Sequence, residues 1–292
     1  MNWMKYRLLY LLISGTIISA GMFGLIKWGL KLGVDFTGGS ILEYRFQKPP
    51  STEEATKIIE KLGIGVSSVQ ITANNSYLFR LPPIQNQDKE KINQALENLT
   101  QEKVSELRFE SVGPSIGPDL VKKTVVALLI SAGGILLWVT FQFKSIKFGL
   151  SAILGMFHDS AVMLGSFALF GHFFGAEVDF LFVTALLTIL SFSVHDTIVN
   201  YDRIRESQKK VGGDLIYLAN KSTTETMVRS FNNSMTIIFM LVALVLLGGT
   251  TIKWFATALL IGTISGTYSS PFVSVAILAT WDEIERKFKS RG

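Results

Sequence analysis

Uncharged stretches about as long as a membrane is thick recur along this chain of 292 residues, and no other feature limits its fold more strongly. A helix of roughly 20 residues crosses the ~30 Å of hydrocarbon in a bilayer. The sequence therefore predicts a polytopic α-helical membrane protein with six transmembrane helices, not a soluble enzyme. The stretches are Leu8 to Ile26, Thr124 to Phe143, Phe148 to Gly175, Phe180 to Asn200, Ser230 to Gly249 and Trp254 to Thr280.

The first stretch has two interpretations, a cleaved signal peptide or a permanent helix. It follows Lys5 and Arg7, and the small residues Ser19, Ala20 and Gly21 would suit a cleavage site. The apolar part of a secretory signal is usually about 7 to 15 residues long. Because this stretch is longer, we expect it to remain as an anchor.

Basic residues are distributed unevenly among the short loops and tails. Arg and Lys concentrate on cytoplasmic loops, so the net charge of +5 indicates topology, not nucleic-acid binding. Lys253 stands on one side, and almost all other bases of the short loops stand on the other. Both termini are therefore predicted in the cytoplasm. The cytoplasmic set includes Lys5, Arg7, Lys144, Lys147, Arg203, Arg205, Lys209, Lys210, Lys221, Arg229, Arg286, Lys287, Lys289 and Arg291.

These spans divide the chain into four predicted parts. Residues 1–31 form a cytoplasmic tail and the first helix, and residues 32–119 an extracytoplasmic domain. Residues 120–281 hold helices two to six, and residues 282–292 form a basic cytoplasmic tail.

The extracytoplasmic domain has the periodicity of a small α+β fold. Alternating and helical patterns predict the order β-α-β-β-α-β, which is that of a ferredoxin-like sandwich. The domain has no Ser/His/acid set, metal-ligand spacing or phosphate loop, and the chain has no cysteine, so we expect docking, not catalysis. The predicted elements are Ser40 to Phe46, Thr52 to Leu62, Val66 to Thr72, Ser76 to Leu81, Asp88 to Leu99 and Val104 to Val112.

Several polar and ionisable residues lie inside the predicted spans. Their cost in hydrocarbon makes a functional role the first hypothesis. Asp196 lies near the inner exit of the fourth helix, and Arg229 opens the fifth at similar depth, so we expect these two charges to face each other. The other polar residues of this kind are His158, Asp159, His195, Thr197, Asn200, Asn232, Asn233, Thr267 and Ser269.

Four motifs in order along the chain resemble those of the SecF branch of the SecD/SecF family, within the resistance-nodulation-division superfamily. They are Gly33 to Gly39 (GVDFTGG), Ser111 to Gly117 (SVGPSIG), Ser193 to Val199 (SVHDTIV) running into Asp202 to Glu206 (DRIRE), and Gly266 to Ser270 (GTYSS).

The resemblance implies a protein-export component of the bacterial inner membrane that uses protons as coupling ion and needs no other cofactor. It implies pairing with SecD beside the SecYEG channel, YajC and YidC as further candidate partners, and an unfolded polypeptide as cargo. Carried over by position, the membrane Asp of the family is Asp196 and the membrane Arg is Arg229. The family often has Tyr and Asn where this chain has Phe192 and His195.

Alternatives remain for most of these residues. Asp196 with Arg229 forms either a proton relay, which the resemblance favours, or a static clamp between helices. His158 with Asp159 forms either a second protonatable site or a polar contact that fixes packing, and we favour packing. We interpret Asp35, Gly38 and Gly39 as a tight turn, Gly113, Pro114, Gly117 and Pro118 as a jointed linker, and Gly262, Gly266 and Ser270 as a close-packing stripe.

Three other functions are weaker hypotheses. An intramembrane aspartyl protease needs Asp159 and Asp196 to converge, but their predicted depths differ by about one turn. A metal hydrolase with His-Asp pairs lacks further ligands. A proton-coupled exporter of small hydrophobic molecules or lipids would be expected to have about twice as many helices.

Overall fold

The computed structural model describes residues 1–72, 75–113 and 116–289. It confirms six helical segments that are long and apolar enough to cross a membrane. Helices satisfy their own backbone hydrogen bonds, which is the condition for crossing hydrocarbon. These candidate spans are Trp3–Trp28, Gly117–Phe143, Ile146–Phe174, Phe180–Val211, Leu215–Leu247 and Ile252–Lys289.

The helices and strands follow one another in a simple order. A 3-10 turn, Trp3–Tyr6, leads into α1 (Arg7–Trp28). Then follow α2 (Val34–Thr37), β1 (Gly39–Arg45), α3 (Thr52–Lys61), β2 (Ser68–Thr72), β3 (Ser76–Leu81), α4 (Asn86–Thr100) and β4 (Ser105–Val112). The remaining elements are α5 (Ile116–Phe143), α6 (Ile146–Phe174), α7 (Phe180–Val211), α8 (Leu215–Leu247), α9 (Gly249–Ser269) and, after a π-helical segment Ser270–Ser274, α10 (Val275–Lys289).

The fourth and fifth helices are longer than their apolar stretches. Only residues 212–214 separate α7 from α8, so Arg229 lies in the middle of a helix and the prediction that it opens one is wrong. The loss of apolar residues marks the end of the hydrocarbon, whereas a helix ends where its backbone bonds end. Ion pairs within α7, such as Arg203 with Glu206 and Lys210 with Glu206, support the polar extension.

The last span is interrupted by the π-helical segment. Pro271 lies at its start, where the missing N–H removes one bond of the α-helical ladder. π-helical turns inside α-helices are rare and occur often at functional sites. The segment separates the polar end of α9 from the charged helix α10.

Small residues bring the helices into backbone contact. A Cβ placed on Gly165 of α6 would lie 2.5 Å from the Cα of Gly21 in α1. On α9, a Cβ on Gly262 would lie 2.5 Å from Ile189, and one on Gly266 would lie 3.2 Å from Ser193. The close packing predicted for Gly262 and Gly266 is therefore confirmed.

The segment Leu32–Val125 is a compact unit by its own contacts. Its four strands lie in the order β2-β3-β1-β4, and every neighbouring pair is antiparallel. Helices α3 and α4 cover one face, where Ala55, Ile59, Ile92 and Leu96 pack against apolar residues of β1 and β3 such as Phe79. The predicted succession of four strands and two helices is present.

A capping box at Ser51 begins α3. The Ser51 side chain accepts from the backbone N–H of Glu54, and the backbone N–H of Ser51 donates to the Glu54 carboxylate. The hydrogen bond from the Ser51 hydroxyl lowers the pKa of the exposed Glu54 carboxyl.

The glycine motif after α1 makes the turn that the sequence predicted. Asp35 lies in the single turn of α2, and Gly38 and Gly39 follow with φ of 74° and 127°. These angles favour glycine because it has no Cβ. A Cβ on Gly39 would also lie 2.9 Å from the carbonyl oxygen of Leu81.

The jointed linker predicted before the second span is only partly described. Gly113 follows β4 directly, and Pro114 lies outside the described residues. Gly117 and Pro118 belong to the first turn of α5, so for them the prediction is wrong. Proline fits a first helical turn because its missing N–H needs no partner there. Gly117 packs against the backbone of Phe36, where a Cβ would not fit.

We expect Gly165→Ala to weaken the contact between α1 and α6. The added methyl group meets backbone atoms of Gly21, which cannot turn aside, and overpacking of this kind costs about 1–3 kcal/mol. The measurement is the temperature midpoint at which the detergent-purified protein loses its folded, monodisperse form. Gly133→Ala is the matched control, because nothing lies within 4 Å of its added Cβ. Equal midpoints for the two variants would contradict the contact.

Candidate functional site

The side chain of Asp159 on α6 makes four hydrogen-bond contacts. Its Oδ1 lies 3.0 Å from Nδ1 of His158 and accepts from the hydroxyl of Ser265 at 2.6 Å. Its Oδ2 accepts from Ser193 at 2.5 Å and from Ser269 at 2.7 Å. The carboxylate is completely buried and joins α6, α7 and α9.

The sequence suggested a local polar contact for His158 and Asp159, whereas the hydrogen bonds of Asp159 join three helices. A buried carboxylate is costly unless hydrogen bonds replace its water. The three serine hydroxyls and the imidazole supply those bonds, so Asp159 serves as a bridge between helices. The other imidazole nitrogen of His158, Nε2, is buried and has no hydrogen-bond partner in the described part of the chain.

Asp196 of α7 has a less complete set of partners. Its Oδ1 accepts from the hydroxyl of Ser230 on α8 at 2.5 Å. Its Oδ2 is shielded from solvent and has no partner within hydrogen-bond distance among the residues that the structure describes. The two carboxylates therefore differ, since Asp159 has donors at both oxygens and Asp196 at one.

Arg229 does not make the expected direct contact with Asp196. Its side chain is exposed, and among the described residues it makes no ion pair within 4.0 Å. Successive residues on a helix point about 100° apart, so Arg229 is turned aside when Ser230 faces α7. In this conformation Ser230 occupies the position at Asp196 that the sequence assigned to Arg229.

Polar contacts extend from Asp196 along α7 in both directions. Thr197 donates to Ser270 at 3.1 Å, and Ser270 donates to the backbone carbonyl of Ser193 at 3.1 Å. Toward the other end, Asn200 accepts from Thr226 of α8 at 2.7 Å. The amide group of Asn200 also lies 3.4 Å from the backbone carbonyl of Asp196.

The remaining predicted residues divide into those that join this network and those that do not. Ser269 contacts Asp159, and Thr267 of α9 donates to Ser234 of α8 at 2.6 Å. The side chains of His195, Asn232 and Asn233 are exposed.

Some members of the network were absent from the predicted site, chiefly Ser230, Ser265 and Thr226. Spacing could have suggested them, because Thr226 and Ser230 are four residues apart and so are Ser265 and Ser269, which places each pair on one helix face. Tyr201 was also missed. It is completely buried, and its hydroxyl lies 2.7 Å from that of Ser151.

The geometry gives little support to hydrolytic chemistry. Across the described ranges, no hydrogen bond joins Asp159 to Asp196, whereas a shared-proton pair of carboxylates would need one. No group of three or more metal-binding side chains occurs among the residues that the structure describes.

Two family descriptions match this chain. Residues 91–284 match "Protein export membrane protein SecD/SecF, C-terminal", and residues 25–50 match "SecD/SecF GG Motif". The second match contains the Gly38-Gly39 turn.

Relatives that match over almost their whole length are named protein translocase subunit SecF. The protein translocase subunit SecF of Thermobaculum terrenum is 40% identical, over 95% of this chain and 93% of its own. That of Anaerolinea thermophila is 37% identical, over 100% and 98%. The crystal structure of SecDF from Thermus thermophilus, a translocon-associated membrane protein, superposes with a TM-score of 0.83 at 30% identity. The match covers 97% of this chain and 39% of that longer chain.

We expect Asp159→Ala to destabilise the bundle more than Asp159→Asn. Alanine leaves the hydroxyls of Ser193, Ser265 and Ser269 without their acceptor, and each unsatisfied buried group costs about 1–3 kcal/mol. Asparagine keeps the shape and one acceptor oxygen. The readout is the thermal midpoint of the purified protein.

Asp119→Ala is the control, because Asp119 forms an exposed ion pair with Lys123 whose loss costs at most about 1 kcal/mol. If Asp159→Ala melted at the same temperature as this control, the bridging role would be wrong.

Proposed function

Because the chain belongs to the SecD/SecF family of protein-export membrane proteins, we propose that it couples proton movement to the export of polypeptides as the SecF-type subunit of a translocase. It is a multi-pass membrane protein, and its homologues are protein translocase subunits. We propose in addition that a proton gradient is the driving force, that Asp196 and Arg229 use it, and that the protein acts at a late stage of export.

The observation that carries the proposal is the half-satisfied carboxylate of Asp196. One oxygen holds Ser230 of α8, and the other is shielded from solvent without a partner. A proton that binds to the free oxygen turns it from an acceptor into a donor and removes the charge. Both changes alter the free energy of the present contact between α7 and α8. Proton binding can therefore be linked to a movement of the helices.

Arg229 supplies the second state in this proposal. A guanidinium close to a carboxylate favours the charged form. Arg229 lies next to Ser230 on α8, so a rotation of that helix would replace the hydroxyl with the guanidinium at Asp196. The exchange would drive the proton off and leave the charges paired.

Asp159 has a different role. Both of its oxygens already accept hydrogen bonds from well-placed donors, so neither oxygen is free to bind a proton. We assign it to holding α6, α7 and α9 together while α8 moves.

The partner that the relatives indicate most directly is SecD. A SecDF protein of Bacillus subtilis is 30% identical over 96% of this chain, which spans 38% of that protein. That relative carries SecD and SecF in one chain by its name, so we propose SecD as the partner here. We propose SecYEG as the channel, YajC and YidC as further partners, and lipid around the exposed apolar helix surfaces.

We place the connection between α7 and α8 in the cytoplasm, and cysteine labelling tests this orientation. The chain has no cysteine of its own, and the side chains of Lys210 and Lys253 are exposed. An impermeant thiol reagent added outside intact cells should label Lys253→Cys and leave Lys210→Cys unlabelled. The reverse pattern would show that both termini are outside.

We expect Asp196→Asn to lose proton-dependent stimulation of export, because an amide keeps the shape and the bond with Ser230 but cannot carry the proton. Arg229→Ala should be similarly inactive. The double variant should be little worse than either single one, because residues that act as a unit are non-additive. The assay is late-stage translocation in proteoliposomes that contain the complete complex, with and without a proton gradient.

Asp119→Asn, which changes an exposed carboxylate in the first turn of α5, is the matched control and should keep full stimulation. Full gradient-dependent export by the Asp196→Asn protein would remove the proposed mechanism.

A further inference from the structure

A charged cavity of about 410 Å³ lies between α7 and α8. Its volume is far larger than the roughly 30 Å³ that one water molecule takes in the liquid, and polar cavities of this kind hold water. Apart from Val199, every lining residue is polar or charged. The polar lining consists of Asp202, Arg203, Glu206, Glu225, Thr226 and Arg229.

The charges of the cavity are largely paired. Three carboxylates and two guanidinium groups line it, and Arg205 and Lys210 bind two of those carboxylates, Asp202 and Glu206. Charged groups are costly to remove from water. The lining therefore suits water.

One solvent-exposed ion pair spans the cavity between the two helices. Nε of Arg203 on α7 lies 2.5 Å from Oε2 of Glu225 on α8. Arg203 is also held by Glu206 of its own helix at 2.6 Å. The contact with Glu225 is thus the link that spans the cavity, and Glu206 keeps Arg203 in place to make it.

The inner wall of the cavity leads to Asp196. Thr226, which lines the cavity, donates to Asn200, and Asn200 lies one turn from Asp196 on α7. Arg229, also in the lining, precedes the serine that holds the carboxylate. Thr226 and Arg229 thus connect the cavity lining to the turns of α7 and α8 that hold Asp196 and Ser230.

We propose that this cavity is a water-filled vestibule through which Asp196 exchanges its proton with the aqueous phase, and that the Arg203–Glu225 ion pair is its lid. The inference rests on the proposed proton-coupled function. In the exchange, the O–H bond of the Asp196 carboxyl breaks, and the proton forms a new O–H bond with water. The products are the carboxylate and a hydronium ion that leaves through the vestibule. The DRIRE motif, which the relay itself does not use, supplies Arg203 and Glu206 for this lid.

Neighbouring cysteines on α7 test whether the vestibule holds water. Val199 lines the cavity, whereas Ile198 packs against the apolar core of the bundle. A thiol reacts as its thiolate, which needs water. In the complete complex in inverted membrane vesicles, a cationic methanethiosulfonate reagent should therefore modify Val199→Cys at least about tenfold faster than Ile198→Cys. Equal rates for the two would overturn the vestibule.

A second pair of variants tests the lid. Glu225→Gln removes the charge that holds Arg203 and should raise the labelling rate of Val199→Cys about threefold or more, because a neutral amide binds a guanidinium more weakly. Glu283→Gln is the matched control, since it breaks an ion pair with Arg7 elsewhere in the bundle. It should leave the rate unchanged. An unchanged rate in Glu225→Gln, or an equal rise in both variants, would overturn the lid.

These measurements separate the vestibule from the proposed function. Labelling reports water at Val199 whether or not export depends on protons. Fast labelling of Val199→Cys together with full activity of Asp196→Asn would overturn the relay alone. Slow labelling together with an inactive Asp196→Asn would overturn the vestibule alone.

Discussion

A carboxylate inside a membrane protein must replace its lost water with hydrogen bonds, and the centre of this bundle is built around that requirement. Asp159 is completely buried, and four donors from its own helix, α7 and α9 surround it. The donors are short side chains, so they reach the carboxylate only because the backbones are close. Gly266 allows this approach, since a Cβ there would crowd Ser193. Small residues and hydroxyl residues therefore act together, because the first permit the distance and the second use it.

The second carboxylate shows what the same requirement allows when it is met only in part. Across the described ranges, Asp196 has one donor within hydrogen-bond distance, Ser230, and one shielded oxygen without such a partner. An incomplete hydrogen-bond set in a low-dielectric site is costly, so the group gains more than Asp159 from a proton or from an approaching cation. Arg229 is the nearest candidate on α8, and the charged cavity beyond it provides room for water. The two aspartates thus differ in how fully each is bonded, and on this difference we base the proposal that Asp159 holds the helices together and Asp196 exchanges a proton.

Periodicity and charge were sufficient to predict the number of spans and the order of strands and helices between the first two of them. Both follow from local physics, because a span needs an uncharged length and a half-buried strand or helix needs alternating apolar residues. Helix ends were predicted poorly. The polar parts of α7 and α8 continue to Val211 and from Leu215, because ion pairs along one helix stabilise it where the hydrocarbon ends. For the same reason, Arg229 lies at the centre of a helix and not at its start.

The sequence by itself determined which ionisable residues are the candidates for function in or beside the apolar spans, since Asp159, Asp196 and Arg229 are costly there and stand out in any count of charges. Only the tertiary structure decided which of them meet. The choice between Ser230 and Arg229 as the partner of Asp196 is a matter of about 100° of rotation of α8, and that rotation is set by packing along the whole helix. Likewise, Ser193, Ser265 and Ser269 converge on Asp159 from two other helices. Contacts between distant segments depend on the helix faces that pack together, and no local pattern contains that information.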